Sequence, residues 1–150
     1  MARAITWRVI DGRQAAWDLA RRSTNRPGGS HVRHDPDRPQ LHRDVERDRR
    51  KQRRELVAKT VTEDASYLDP VMAGTGIDGI SEMIGGAQQQ FPDHRFTLVD
   101  GPDAHHDRVR FTWSLAAADG GDPVAIGVDF ATVADDGRMR AITGFLEPAA

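Results

Sequence analysis

The stretch SYLDPVMAGTGIDGI, residues 66–80, sets Asp69 directly before Pro70 inside an otherwise apolar and glycine-rich passage. Far along the chain, PVAIGVDFATV carries a second acid, Asp129. There Val124, Ile126, Val128 and Phe130 alternate with Ala125, Gly127, Asp129, Ala131 and Val133. An extended chain would put the bulky groups on one face and the small ones, around a carboxylate, on the other. Small side chains leave a hollow, and a carboxylate in a hollow is salt-bridged, protonated or functional. Proton transfer is the chemistry such a group could do. For Asp129 alone, the plainer expectation is a paired structural acid.

Other residues could join them. Tyr67 precedes Asp69 by two positions and shares its side if the segment is extended, as a pocket lining or as core. Phe111 and Trp113 could wall a flat apolar ligand, against the plainer role of core packing. Arg110 has the opposite parity and reads as a solvated charge; Asp78 and Glu82, four apart on a helix, should face water. His105 and His106 invite a metal, but adjacent residues on a strand point to opposite faces, so no metal site is expected.

The elements that must position these groups follow from periodicity. RRELVAKTVTEDASY puts Leu56, Val57 and Thr60 on one helical face, then yields to an extended piece before Pro70. Ile77, Ile80, Met83 and Ile84 predict a second helix, limited by Gly85, Gly86 and Pro92. RFTLVDG, DRVRFTWSLAA, DPVAIGVDFATV and RMRAITGFLE read as strands, the last two joined by the turn ADDG. In the second of these, Val109, Phe111, Trp113 and Leu115 oppose Arg108, Arg110, Thr112 and Ser114. Helices first and then an antiparallel meander is an α+β order, expected as a curved antiparallel sheet with helices on its concave side.

The chain has 150 residues, enough for one domain, and no cysteine, which removes disulfides and thiolate sites. No apolar run is long enough to span a bilayer and none opens the chain as a secretion signal would, so a soluble cytoplasmic protein is the default expectation. The net charge of −2 conceals an asymmetry: residues 1–60 sum to +8 and residues 61–150 to −10. A basic arm can bind nucleic acid. This one offers only Trp7 and Trp17 as aromatics and interleaves acids through RDVERDRRKQRRE, so nucleic-acid binding is not expected. Residues 23–40 hold three prolines and two glycines, a composition for an unstructured stretch. The pattern changes near residue 50, dividing an atypical, poorly ordered segment 1–50 from a domain 51–150.

EDASYLDPV, a Gly-rich connection and helix, and strands ending in GVDFATVADDGRMRAITGF together resemble the nuclear-transport-factor-2-like (NTF2-like) superfamily, in the branch of SnoaL-like polyketide cyclases and ketosteroid isomerases. The likeness spans residues 51–147 and implies a cone-shaped α+β fold; that fold hosts enzymes, carriers and assembly modules alike. In the ketosteroid isomerases the base is an Asp before a Pro, which falls on Asp69. An oxyanion-hole Asp stands eight residues before the Gly of the last hairpin, as Asp129 stands before Gly137. The resemblance therefore implies an ionised Asp69 that moves a proton beside a carbonyl and a neutral Asp129 that donates to the enolate oxygen. It implies no cofactor.

The family's first helix carries a Tyr in a pattern like Y-x-x-x-x-N. This chain has the polar LHRDVERDRR there, with Leu41 about where the Tyr would be. A polar segment is a poor cover for an apolar cone. Back-translated with permitted codons and read one base later, residues 34–50 can become MTPTDRSYIATWNETD, which supplies the Tyr, the apolar face and the Asn. Residues 1–50 are on this reading a wrong-frame translation.

Two functions are expected from the whole: a cofactor-free isomerase or cyclase with Asp69 as base and Asp129 as acid, or a non-catalytic binder of a hydrophobic small ligand in the same cone. The apolar outer face, Val124 to Phe130, predicts a homodimer through the sheet.

Overall fold

The computed structural model describes residues 38–147, with side chains from Arg43 onward. Expectations for residues 1–37, including Trp7 and Trp17, and for the Leu41 side chain lie outside the described residues. The elements are α1 (Arg38–Thr60), β1 (Val61–Leu68), β2 (Ala73–Thr75), α2 (Gly76–Gln90), β3 (His94–His105), β4 (Arg108–Ala117), β5 (Ala125–Val133) and β6 (Met139–Leu146). They form an α+β fold on one curved, unclosed sheet of order β2-β1-β6-β5-β4-β3.

The four strands expected in the second half are present, and β3 to β6 make the antiparallel meander. The sheet departs from a purely antiparallel one at a single pair: β1 lies parallel to β6, which makes it mixed. These two strands are joined by the whole intervening chain and not by a hairpin, so nothing local dictates their direction. A short β2, pairing back on β1, also went unread.

Alternation decides the inner face. Val109, Phe111, Trp113 and Leu115 of β4 are buried, as are Ala131 and Val133 of β5 and Ile142 of β6. α2 closes over this face through Ile80, with Ile77, Met83 and Ile84 packed around it. It runs unbroken through Gly85 and Gly86, where sequence set a limit. Gly85 has a packing reason: a Cβ there would meet the Arg53 guanidinium at 2.6 Å. That guanidinium, from α1, donates to the Ser81 carbonyl at 2.7 Å and to Gln88 at 3.2 Å, tying the helices together. Burial pulls its pKa down, with Arg50 adding to the effect.

α1 crosses the boundary expected at residue 50, and its packing changes close to it. From Arg43 to Gln52 every side chain except Asp44 is exposed; from Arg53 onward the helix contributes Val57 to the core. Among the described residues no helix is long and apolar enough to cross a membrane.

Candidate active site: two aspartates around Gly144

Asp69 is buried at the turn between β1 and β2. Its Oδ1 accepts from the Val71 amide at 2.8 Å and the Met72 amide at 2.6 Å, and its own amide donates to the Met72 carbonyl at 2.9 Å. Asp before Pro suits such a turn, since Pro70 needs no partner for a missing N–H while the carboxylate takes the next two amides. The acid thus has a structural task. Its second oxygen is oriented differently: Oδ2 accepts from the Tyr67 hydroxyl at 2.9 Å. Three donors therefore surround the carboxylate.

Asp129 is buried on β5 with 5% exposure. Its Oδ1 accepts from the Trp113 indole Nε1 at 2.9 Å. Neither aspartate is in an ion pair with Arg or Lys among the described residues, which removes the plain salt-bridge reading of Asp129. Burial pushes its pKa up and the nearby Asp69 adds to this, while the indole N–H works the other way. Tyr67 is pushed up as well, by burial first and then by the charges of Asp129 and Asp69, so its hydroxyl stays a donor.

The two acids meet across β6. In register, Asp129 stands opposite Gly144, and Tyr67 opposite Ile142. A Cβ on Gly144 would lie 2.9 Å from Asp129 Oδ1, 3.0 Å from Asp69 Cβ and 3.2 Å from the Tyr67 hydroxyl. All three side chains therefore converge on one point above a glycine. A β-bulge makes this possible: Val133 pairs with Met139 but Thr132 with Ala141, so Arg140 is an extra residue. Without that insertion Thr143 would face Asp129 and its side chain would occupy the point of convergence.

The SnoaL-like domain family matches residues 47–142. The chain belongs to the SnoaL-like family. A provisionally assigned isomerase of this family from Agrobacterium tumefaciens is 32% identical over 98% of this chain and 99% of its own, with a TM-score of 0.66. An NTF2-like protein of unknown function from Exiguobacterium sp. 255-15 shares the fold at 15% identity, covering 92% of this chain and 99% of its own, with a TM-score of 0.57. A protein of cystatin-like fold from Methylobium petroleophilum PM1 does so at 14% identity over 96% and 79%, with a TM-score of 0.61. No curated protein matches.

The remaining expected residues fall into place on this SnoaL-like sheet. Phe111 is buried opposite Asp129. Trp113 is buried too, packed edge-on against Phe96 with ring centroids 5.2 Å apart. The hollow expected at Gly127 is filled, because the indole lies across it: a Cβ there would collide with Cζ2 and Cε2 of Trp113. Arg110 is exposed and pairs with Asp103 at 2.8 Å, and Asp78 is exposed and pairs with Arg54. The two histidines differ from expectation. They do not diverge, because His106 takes φ of 50° at the β3–β4 turn and brings the two Nδ1 atoms to 3.3 Å. No third ligand accompanies them, and no group of three or more metal-binding side chains exists among the described residues. Sequence reading missed Gly144 and the Val71 and Met72 amides. Counting outward from the ADDG turn would have reached Thr143, one residue short, because of the bulge.

Proposed function

We propose that this chain is a cofactor-free enzyme of proton abstraction beside a carbonyl, an isomerase or cyclase acting on an apolar carbonyl compound, with Asp69 as base and Asp129 as acid. The observation that carries this reading is the convergence of Asp69, Tyr67 and Asp129 on Gly144, with the two carboxyl groups in different surroundings. Oδ2 of Asp69, free of the turn amides, would take the proton from the α-carbon. The C–H electrons then form the C=C bond, and the carbonyl π electrons move to oxygen. Neutral Asp129 would hydrogen-bond the developing oxyanion in a water-poor setting, where such a donor is most effective. Return of the proton from Asp69 to another carbon gives isomerisation; attack of the enolate carbon on a second carbonyl, with the proton on Asp69 passing to the alkoxide that forms, gives ring closure.

Apolar groups frame the acids and would suit a neutral substrate. Opposite residues share a face, so Leu98, Trp113, Gly127 and Leu146 form the next row of the inner surface. Leu98 and Leu146 remain 36% and 37% exposed, and offer an apolar rim. Phe111 and Trp113 are the candidate aromatic wall, and Tyr67 the candidate polar contact. The outer apolar face of β5 and β6 is proposed to pair with a second copy of the chain.

The second reading, a non-catalytic carrier for a hydrophobic ligand, draws on the turn that Asp69 caps, since that task alone accounts for a carboxylate there. Deuterium exchange at the α-carbon of a panel of neutral enolisable ketones, followed by NMR, separates the two. Asp69→Asn keeps an oxygen for the turn amides but loses the base, so exchange should fall roughly 10²- to 10⁴-fold. Binding of a ketone without exchange, unchanged in Asp69→Asn, would leave the carrier reading standing.

A further inference from the structure

Asp129 has two carboxyl oxygens, and the one that holds its proton decides where the acid can donate. Trp113 stands opposite Gly127 on β5, two residues from Asp129 on the same face. With no side chain at Gly127, the indole lies flat along β5 and Nε1 reaches Asp129 Oδ1 at 2.9 Å. Phe96 packs edge-on against the same ring, with centroids 5.2 Å apart. An indole nitrogen can only donate, so the oxygen it touches must accept.

We propose that Trp113 is a positioning residue for Asp129: laid across Gly127, its indole N–H makes Oδ1 the acceptor and confines the proton of the neutral acid to Oδ2. The proposal rests on the reading of Asp129 as the acid of the site. A proton on Oδ1 would leave the buried indole N–H only a hydroxyl oxygen, a weaker acceptor than a carbonyl oxygen, so the hydrogen bond favours the form with the proton on Oδ2. The acid is thereby held in a single protonated form. The same N–H favours the charged state and opposes the effect of burial, so Trp113 also sets the alkaline limit of an acid that burial alone would keep protonated further.

The test uses the full chain labelled with ¹³C at aspartate carboxyls and ¹⁵N at tryptophan indoles. The Asp129 signal is assigned by its absence in Asp129→Asn, and the Trp113 indole signal by its absence in Trp113→Phe. In the unaltered chain the Trp113 Nε1–H resonance should move with the titration of Asp129. In Trp113→Phe the Asp129 midpoint should rise, and in Gly127→Ala, where the ring is displaced, it should rise while the indole resonance loses its pH dependence. An indole resonance that stays constant while Asp129 titrates, or one midpoint shared by all three chains, overturns the proposal. Should either variant fail to fold, the indole signal displaced in Asp129→Asn identifies Trp113, and its pH dependence in the unaltered chain decides alone. These signals do not depend on turnover. If Asp69→Asn exchanges ketone protons as fast as the unaltered chain, the catalytic reading fails while the titration still tests the role of Trp113.

Discussion

Burial of Asp129 without a cation has a consequence for stability that can be measured without a substrate. Its pKa is raised in the fold, by burial first. A raised carboxyl favours the folded state fully only below the unfolded value near 3.9, and that contribution is lost as pH rises through the folded midpoint. Asp129→Asn should therefore raise the melting temperature at pH 7 to 8, and the gain should vanish as pH falls toward 4, followed by calorimetry across that range. A gain that persists at pH 4 would mean that the effect is packing and not charge. Gly144→Ala acts on the same point by sterics. Its methyl would meet Asp129, Asp69 and Tyr67 at 2.9 to 3.2 Å, an overpacking worth about 1–3 kcal/mol in urea unfolding. It should also abolish ketone exchange, because the three groups must separate to admit it. Wild-type exchange in Gly144→Ala would move the chemistry away from this point.

At the scale of elements, the two helices owe their union to Arg53. Its planar group reaches the Ser81 carbonyl and Gln88 together across Gly85. Arg53→Lys keeps the charge but not the fork, so it should cost about 1–2 kcal/mol in denaturant unfolding. A loss no larger than that of a solvated arginine would deny the tie. Between Arg43 and Gln52 the side chains of α1 other than Asp44 are exposed, the apolar Val45 at 43% among them. On the proposal that residues 1–50 are a wrong-frame translation, replacing residues 34–50 by MTPTDRSYIATWNETD should raise the unfolding midpoint by covering the inner face. An unchanged midpoint, or an undisturbed reading frame on resequencing, ends that reading. What sequence made legible follows the same physics. β4 and β5 announce themselves because one face is buried and the other is not, and Asp129 stood out as a charge on the buried side. The parallel pairing of β1 with β6, and the bulge at Arg140 that brings Gly144 beneath the acids, depend on contacts between distant segments. No local pattern encodes them. The polar start of α1 carries no helical stripe, so only its end was read as helix.

At the scale of the whole molecule, the outer face of the sheet leaves an apolar patch in water. Val124, Phe130 and Phe145 are 52%, 47% and 56% exposed, and the two phenylalanine rings meet edge-on at 6.1 Å. Val128 pairs with Phe145 in register, so the apolar groups run from β5 onto β6 as one patch. On the neighbouring β4, Arg108 and Arg110 border it, each held by an aspartate of its own molecule. A patch uncharged at its centre and rimmed by neutralised charges can face its own copy across a two-fold axis without setting like charges together. This favours the proposed homodimer, which would leave the inner face, with Asp69 and Asp129, free on both protomers. Light scattering on a sizing column should give twice the chain mass at micromolar concentration. Phe130→Glu should return it to a monomer, because the two-fold brings each new carboxylate near its copy, in an apolar surrounding where neither is paired. Ketone exchange per chain should persist in that monomer if the site is complete within one protomer. A monomeric unaltered chain would remove the dimer, and lost exchange in a folded Phe130→Glu monomer would show that the outer face supports the inner one.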